Sequence, residues 1–598
     1  MNFIKELVKK YLGHFAFFYS YLRYRIFISL VLSLIVGLLD SFGLVMFIPL
    51  LQIVIGSGEN PSQGLGGMSF IVDGFNYVGI PLTIGSILLI MAVIFLLKAI
   101  LKFSQMYYNT IVRTYFIRKV RFRMADKLSN FSYKQFVMAD AGRIQNTMSG
   151  EVGRVSQAYV AYFNTIENWI FLFVYFVMAL ITNAQFSILV GIGGLLSNIV
   201  YKQIYKLTKE NSARISRGGH VYQRLLIQKV AFFKYLKATG FIHTYNLKLR
   251  EAVIFIEDSV KRIGFYNAIL GSSREPVVFL VIAIVIFVQV SFLSSSTDGI
   301  IASLLFFYRA LVYILALQNS WNTFLNSSGA LSNLTDFLSE LEVNQEKYGP
   351  NKFTKFTKEI VVSDVVFNYG ETRILNNIHL TIPKNRTIAF VGESGSGKTT
   401  LVNLLCGLMP VDGGKIEIDN TNFSDLDLRT LQRRIGYITQ DPVIFSDSVY
   451  DNITQWAPKT EENIVRFWQA CEQAAISDFI KGLDKKEDAP LGNNGIQVSG
   501  GQKQRISIAR ELYKDIDILV MDEATSALDS EVERAIQDNI DSLKGRYTII
   551  IVAHRLSTVR DADLIFVLNK GTLEASGSFR TLIENSPRFK RMVELQEF

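Results

Sequence analysis

Six apolar runs, near residues 26–54, 83–107, 158–183, 185–206, 264–292 and 299–320, constrain this chain more than any other feature of its sequence. Each is long enough for the roughly 20 apolar residues that carry an α-helix across a hydrocarbon layer. Inside such a layer only helices or closed barrels satisfy their own backbone groups, so the first half reads as an all-α bundle of six spans. The second and third pairs of runs are joined by short polar turns, 182–185 and 294–299, and the first pair by a Gly/Ser-rich loop around 56–80. None of these connections contains Lys or Arg. The other two are expected to be long loops and are basic, one with Arg113, Arg118, Arg121 and Lys134 among others, the next with Lys202, Lys209, Arg217 and Lys237. Positive charge marks the cytoplasmic side, so those loops, both termini and everything after the sixth run are expected in the cytoplasm.

At 598 residues the chain exceeds what one core supports. Its net charge of +9 is compatible with a nucleic acid or a membrane surface. Much of that charge lies in the two basic connections, so no nucleic-acid partner is expected. Cys406 and Cys471 show no metal-ligand or disulfide spacing and read as small buried hydrophobes. Near the N-terminus, Lys5, Lys9 and Lys10 flank an apolar face of Ile4, Leu7, Val8, Tyr11, Leu12 and Phe15, a pattern for a helix lying in the membrane interface. No small-residue cleavage site follows, so this segment is not expected to be a removed signal. The helical pattern continues past the sixth run to about Glu342. A polar stretch including Asn344 to Asn351 then reads as linker, and from about 358 short β-branched runs alternate with helical stretches. The expected domains are 1–342, a linker at 343–357, and an α/β domain at 358–598.

Within the second half, a strand ending at Val391 runs into Gly392-Glu393-Ser394-Gly395-Ser396-Gly397-Lys398-Thr399-Thr400 and then an apolar helix start at Leu401. Strand, glycine-rich loop and helix together form a phosphate cradle: glycines let backbone N–H groups crowd the anion, and the helix N-terminus adds positive potential. Lys398 is expected to reach the β/γ-phosphates of ATP and Thr399 to ligate Mg²⁺. The apolar strand at 516–521 leads into Asp522 and Glu523. Asp522 is expected to hold the magnesium shell and Glu523 to polarise the attacking water.

Between these motifs stands Val498-Ser499-Gly500-Gly501-Gln502, and with it the chain resembles the ABC ATPases. The resemblance covers the whole C-terminal domain. It implies that Gln440 senses Mg²⁺ and water, that the loop Ser526 to Asp529 crosses a dimer interface, that His554 contacts the γ-phosphate and that Tyr369 stacks on adenine. It also implies that Ser499, Gly500 and Gly501 of one subunit close over ATP held by the other, which makes a homodimer the simplest assembly and leaves a heterodimer open. Three positions depart from the exporter pattern. Val498 replaces a leucine, Asn493 stands where a glutamate is common, and Asn385 replaces a turn glycine.

The membrane half in front of the ATPase is similar to exporters of the lipid-flippase and multidrug type. The implied architecture is a multidomain membrane protein: a six-helix all-α transmembrane domain plus an α/β P-loop ABC ATPase domain with a helical subdomain. The segment Gly142 to Val152 resembles the first cytoplasmic loop of these exporters, and coupling helices are expected near 132–138 and 233–240. Ionisable residues inside spans are costly, which singles out Asp40, Lys98, Lys102, Glu167 and Arg309. Two readings stay open: the charges pair with each other and hold the bundle, or Arg309, Lys98 and Lys102 attract an anionic headgroup. Gly37 to Pro49 and Phe307-Tyr308-Arg309 look similar to the lipid-linked-oligosaccharide flippase branch. A lipid-linked glycan or other amphipathic lipid is therefore the favoured cargo, with peptide or drug export the alternative and an ATP-gated channel a remote one. The expected location is the plasma (inner) membrane of a bacterium.

Overall fold

The computed structural model describes residues 13–47, 83–182, 184–292, 297–492, 498–522, 541–553 and 559–595 with a few isolated positions between them. Within 182–200, 281–292 and 297–307 the backbone is described but most side chains are not. Contacts divide the chain into two units, Met1–Phe131 with Ala139–Gln345, and Ser132–Met138 with Glu346–Phe598.

Residues 13–22 are helical, and the helices that follow in the first half include, in chain order, α1 (Arg25–Val45), α2 (Ile84–Ser129), α3 (Tyr133–Met138), α4 (Ala141–Met148), α5 (Gly150–Thr182), α6 (Ala184–Ala231), α7 (Phe233–Ala238), α8 (Ile242–Phe292) and α9 (Thr297–Val343). Of these, α3 belongs to the second unit. α1 is shorter than the apolar run that encodes it: Met46 stands in a turn, and Phe47, Pro49 and Leu50 beyond it are helical again. α2 starts on a capping box in which Thr83 and Ser86 satisfy each other's backbone N–H. Among the described residues α1, α2 and α5 are apolar and long enough to cross a membrane.

Helices α2, α6, α8 and α9 run 46, 48, 51 and 47 residues, about 70 Å or more at 1.5 Å per residue, where a hydrocarbon core needs only about 30 Å. The basic connections expected as long loops are therefore mostly helix. Lys and Arg are good helix formers, so the chain continues as helix while its composition changes from apolar to charged. An aromatic cluster seals these extensions: Phe18 meets Phe116 at 5.4 Å between ring centres, Phe116 meets Tyr159 at 5.3 Å, and Tyr162 meets Phe324 at 5.3 Å. Gly142, in the segment that resembles exporter loops, lies so close to α6 that an added Cβ would stand 2.6 Å from the Arg224 backbone nitrogen.

The second unit is α/β. Strands β1 (Glu359–Tyr369), β2 (Thr372–Pro383), β4 (Gly413–Ile418) and β5 (Thr421–Asn422) form an antiparallel sheet in the order β2-β1-β4-β5. Strands β3 (Thr387–Val391), β6 (Ile435–Ile438), β7 (Ile518–Asp522), β8 (Thr548–Val552), β9 (Leu564–Asn569) and β10 (Thr572–Gly577) form the main sheet, ordered β10-β9-β3-β8-β7-β6. All its pairings are parallel except β9 with β10. Period-two alternation sorts its side chains onto two cores. Ile388, Phe390, Val520, Ile550 and Phe566 pack on one face, and Ala389, Val391, Leu519, Ile551 and Ile565 on the other. Burial on both faces is why these strands read as continuous apolar runs.

Candidate functional site

The loop after β3 and the helix α10 (Lys398–Leu405) carry the phosphate-binding signature. Gly392 has φ 152°, and an added Cβ would lie 2.3 Å from the carbonyl oxygen of Leu568. Only glycine fits there. Gly397, at φ 100°, occupies the N-cap without a side-chain cap, so the first N–H groups of α10 stay available to an anion. Lys398 is buried, and its Nζ donates to the carbonyl oxygens of Gly392 at 2.9 Å and Glu393 at 3.0 Å. The ammonium is thus held inside the loop. Ser396 Oγ is buried with no hydrogen-bond partner among the described residues, a group that fits a phosphate oxygen. Ser394, Gly395 and Thr399 are exposed, and Thr400 is half-buried.

Asp522 ends β7, beside Tyr437 of the neighbouring strand β6, whose hydroxyl donates to its Oδ2 at 3.2 Å. Burial and the adjacent Asp522 push the Tyr437 phenol well above its ordinary value, so it remains a donor. Gln440 is exposed two residues beyond β6. Tyr369 ends β1, half-buried, with its hydroxyl 3.3 Å from Met409 Sδ. Ser499 caps α12 (Gly500–Tyr513), which follows α11 (Glu461–Gln473), and forms a capping box with Gln502. Ser499 and Gly500 are exposed, and a Cβ on Gly500 would meet nothing within 4 Å. Gly501, the next residue, is half-buried in the first turn. Glu523, Ser526 to Asp529, His554 and Asn493 lie outside the described residues, as do positions 4–12 of the N-terminal segment. Asn385 takes the left-handed φ of 56°, which asparagine tolerates better than most residues, so the departure from glycine is accommodated.

Three features were invisible in the sequence. Tyr437 is the first. The second is Arg588 on α13 (Pro587–Glu594), which pairs with Glu393 of the phosphate loop at 2.7 Å. The third is α3, an expected coupling segment that packs within the ATPase unit: Tyr133 joins the core of that unit, and Lys134 pairs with Asp412 at 2.9 Å and lies 4.7 Å from the centre of the Phe367 ring. Burial raises the Asp412 carboxyl, but hydrogen bonds from Lys134 and Asn368 outweigh it and hold the group below its ordinary value. The pair is therefore complete above about pH 4 and is lost only as acid protonates Asp412. Lys134→Glu reverses one charge in it. Its expected result is a fall of about threefold or more in the substrate stimulation of ATP hydrolysis, on the scale of about 1 kcal/mol for a partly exposed pair.

In the membrane unit the sequence-predicted cations divide. Lys98 of α2 pairs with Asp40 of α1, which also accepts from Tyr175 of α5 at 2.6 Å and Tyr313 of α9 at 3.3 Å. Lys102 pairs with Glu167 of α5 at 2.7 Å. Each lysine faces a carboxylate, the arrangement of the first of the two readings, in which the intramembrane charges pair with each other. Asp40 of α1 and Glu167 of α5 both lie within reach of α2, and an unpaired cation at that depth would be costly. Arg309 is half-exposed and makes no ion pair among the described residues.

The family model described as ABC transporter matches residues 375–526. The heterocyst differentiation ATP-binding protein HepA of Nostoc sp. is 28% identical over 496 residues, 80% of each chain. An ATP-dependent lipid A-core flippase of Cupriavidus pinatubonensis is 27% identical over 507 residues, 82% of this chain and 84% of that one. Among solved structures, a bacterial Atm1-family ABC exporter with ATP bound superposes with a TM-score of 0.77 and 21% identity, covering 96% of this chain and 100% of that one.

Proposed function

We propose that this chain is an ABC exporter half-transporter, a helical membrane domain and an ATP-hydrolysing domain on one polypeptide, and one half of a homodimer that moves an amphipathic lipid outward by alternating access. The favoured cargo is a lipid-linked glycan or related lipid, and the favoured location the inner membrane of a bacterium with both termini and the ATPase domain cytoplasmic. The domain limits proposed are 1–342, 343–357 and 358–598, with α3 docked on the ATPase. Similarity to lipid A-core flippases across more than four-fifths of the chain supports the lipid reading.

The observation that carries this proposal is the phosphate loop itself, with Lys398 buried between two loop carbonyls and Ser396 Oγ without a partner among the described residues. Backbone N–H groups from Gly392 to Thr400 receive the ATP phosphates, Lys398 compensates charge at the β/γ position, and Tyr369 supports the adenine. Asp522, Gln440 and Thr399 are the groups that hold Mg²⁺, and a bound Mg²⁺ supplies charge neutralisation at the transferring phosphoryl. Glu523, directly after β7, is the proposed general base, and His554, after β8, the γ-phosphate contact. Ser499, Gly500, Gly501, Gln502 and Asp529 are assigned to the partner's nucleotide, because the exposed first turn of α12 offers free N–H groups and positive potential that a second copy can use.

Tyr437 positions Asp522. Tyr437→Phe is expected to raise the Mg²⁺ concentration for half-maximal hydrolysis about tenfold, the low end of the value of one hydrogen bond to a charged group. A magnesium titration of ATPase activity measures it, and an unshifted titration removes Tyr437 from that role. The proposal as a whole is tested by reconstituting the full chain in vesicles and following ATP-dependent movement of a fluorescent lipid-linked sugar between leaflets. Accumulation of peptides or drugs without lipid movement would favour the exporter alternative.

A further inference from the structure

We infer that a cavity among α2, α5 and α9, with polar groups set beside the apolar Val160 and Ala161, is the entry seat for the headgroup of a cytoplasmic-leaflet lipid bearing phosphate and sugar hydroxyls. The inference deepens the lipid-flipping reading above and rests on it. The cavity measures about 300 Å³ and lies within the membrane unit, lined by Arg113 of α2, Gln157 and Asn164 of α5, and Asn319, Ser320 and Thr323 of α9. This volume lies at the small end of ligand sites, enough for a phosphorylated sugar and too small for a long glycan.

Depth selects the occupant. Asn319 lies about 33 Å along α9 from Thr297, Gln157 about 38 Å from Thr182, and Arg113 about 44 Å from Ile84, at 1.5 Å per residue. With a hydrocarbon core about 30 Å thick and about 40–45 Å including headgroups, the cavity sits at the headgroup level of the leaflet on the basic side. A lipid presents its polar group there, before any translocation.

Chemistry agrees with depth. Carboxamides and hydroxyls both donate and accept, as sugar hydroxyls require, and Gln157, Asn164, Asn319 and Thr323 are all exposed. A guanidinium offers a planar fork that matches two phosphate oxygens. Neighbouring arginines of the same bundle are already engaged: Arg123 pairs with Glu342, Arg143 with Glu340 and Arg154 with Glu151. Arg113 is exposed and makes no hydrogen bond or ion pair among the described residues. One turn deeper than Asn164, the Asn168 amide donates to Ser320 Oγ at 3.1 Å and ties α5 to α9 at the wall of the cavity. The headgroup is therefore received at the membrane edge, with the paired lysines deeper in the bundle.

The test uses the full chain in phosphatidylcholine nanodiscs containing polyprenyl diphosphate N-acetylglucosamine, with ATP hydrolysis followed against lipid content. Arg113→Gln is expected to raise the half-maximal lipid concentration about tenfold, the scale of one charge-assisted contact, and Arg113→Lys to recover part of it. Asn319→Leu, which removes an amide and narrows the cavity, is expected to raise it as well. Arg118→Gln, an exposed arginine of α2 outside the cavity, is expected to leave it unchanged. A photoreactive analogue of the same lipid is expected to label α5 and α9 at the cavity and to lose that labelling in Arg113→Gln, which a merely structural role of Arg113 would not produce. Stimulation of the unsubstituted chain with unshifted Arg113→Gln and Asn319→Leu variants overturns this inference and leaves the lipid reading standing. No stimulation of the unsubstituted chain by the lipid overturns both.

Discussion

Replacing Lys398 with Ala is expected to lower ATP hydrolysis by a factor of about 10²–10³, the cost of removing one preorganised group that faces developing charge. The ammonium is buried and placed by two carbonyl acceptors at 2.9 and 3.0 Å, so its position requires no reorganisation during the reaction. Alanine removes the charge, and no other cation of the loop replaces it, since the remaining residues from Gly392 to Thr400 carry none. Folding should survive, because β3 and α10 keep their apolar contacts with the surrounding core. Steady-state hydrolysis by purified protein, with a thermal melt as the control for folding, measures the effect. Activity within a few-fold of the parent would remove Lys398 from the phosphate site.

Asp40→Ala is the second large effect, and it acts on stability. Asp40 is 5% exposed and joins four helices through Lys98, Tyr175 and Tyr313. Removing it leaves the half-buried Lys98 ammonium without its carboxylate, a loss of about 2–3 kcal/mol, below the full cost for a wholly buried pair. Replacing both members, Asp40→Leu with Lys98→Met, is expected to recover most of that loss, since both charges and both desolvation penalties disappear together. Unfolding of the detergent-solubilised chain, compared across the two single variants and the double, gives the coupling directly. Additive single effects would mean that the pair does not act as a unit.

Much of this protein was legible before any coordinates. Six apolar runs predicted the helical membrane half, because hydrocarbon leaves a chain few ways to satisfy its backbone. The spacing of Gly392, Gly395 and Gly397 ahead of Lys398 located the phosphate loop, because the tight turn depends on a few consecutive backbone angles. The order of Gln440, Ser499 to Gln502 and Asp522-Glu523 carried the resemblance to ABC ATPases for the same reason: each motif is short and contiguous.

What escaped the sequence joins residues far apart along it. Lys98 was flagged as an intramembrane charge, but its choice of Asp40, 58 residues away, follows from how α1 and α2 rotate against α5. Lys102 likewise selects Glu167 across 65 residues. The hydroxyl of Tyr437 reaches Asp522 because two parallel strands stand side by side in the main sheet, and no local pattern records that adjacency. The basic connections read as loops because charge dilutes the apolar period, although the helices run through them. The sequence by itself determined the apolar spans, the buried strands, the two chemistries and the nucleotide motif, since these depend on composition and short spacing. Only the tertiary structure decided which charges are neutralised, that residues Ser132–Met138 pack with the ATPase unit, and that Arg113 opens onto a cavity, because those depend on the packing of segments that meet only after folding.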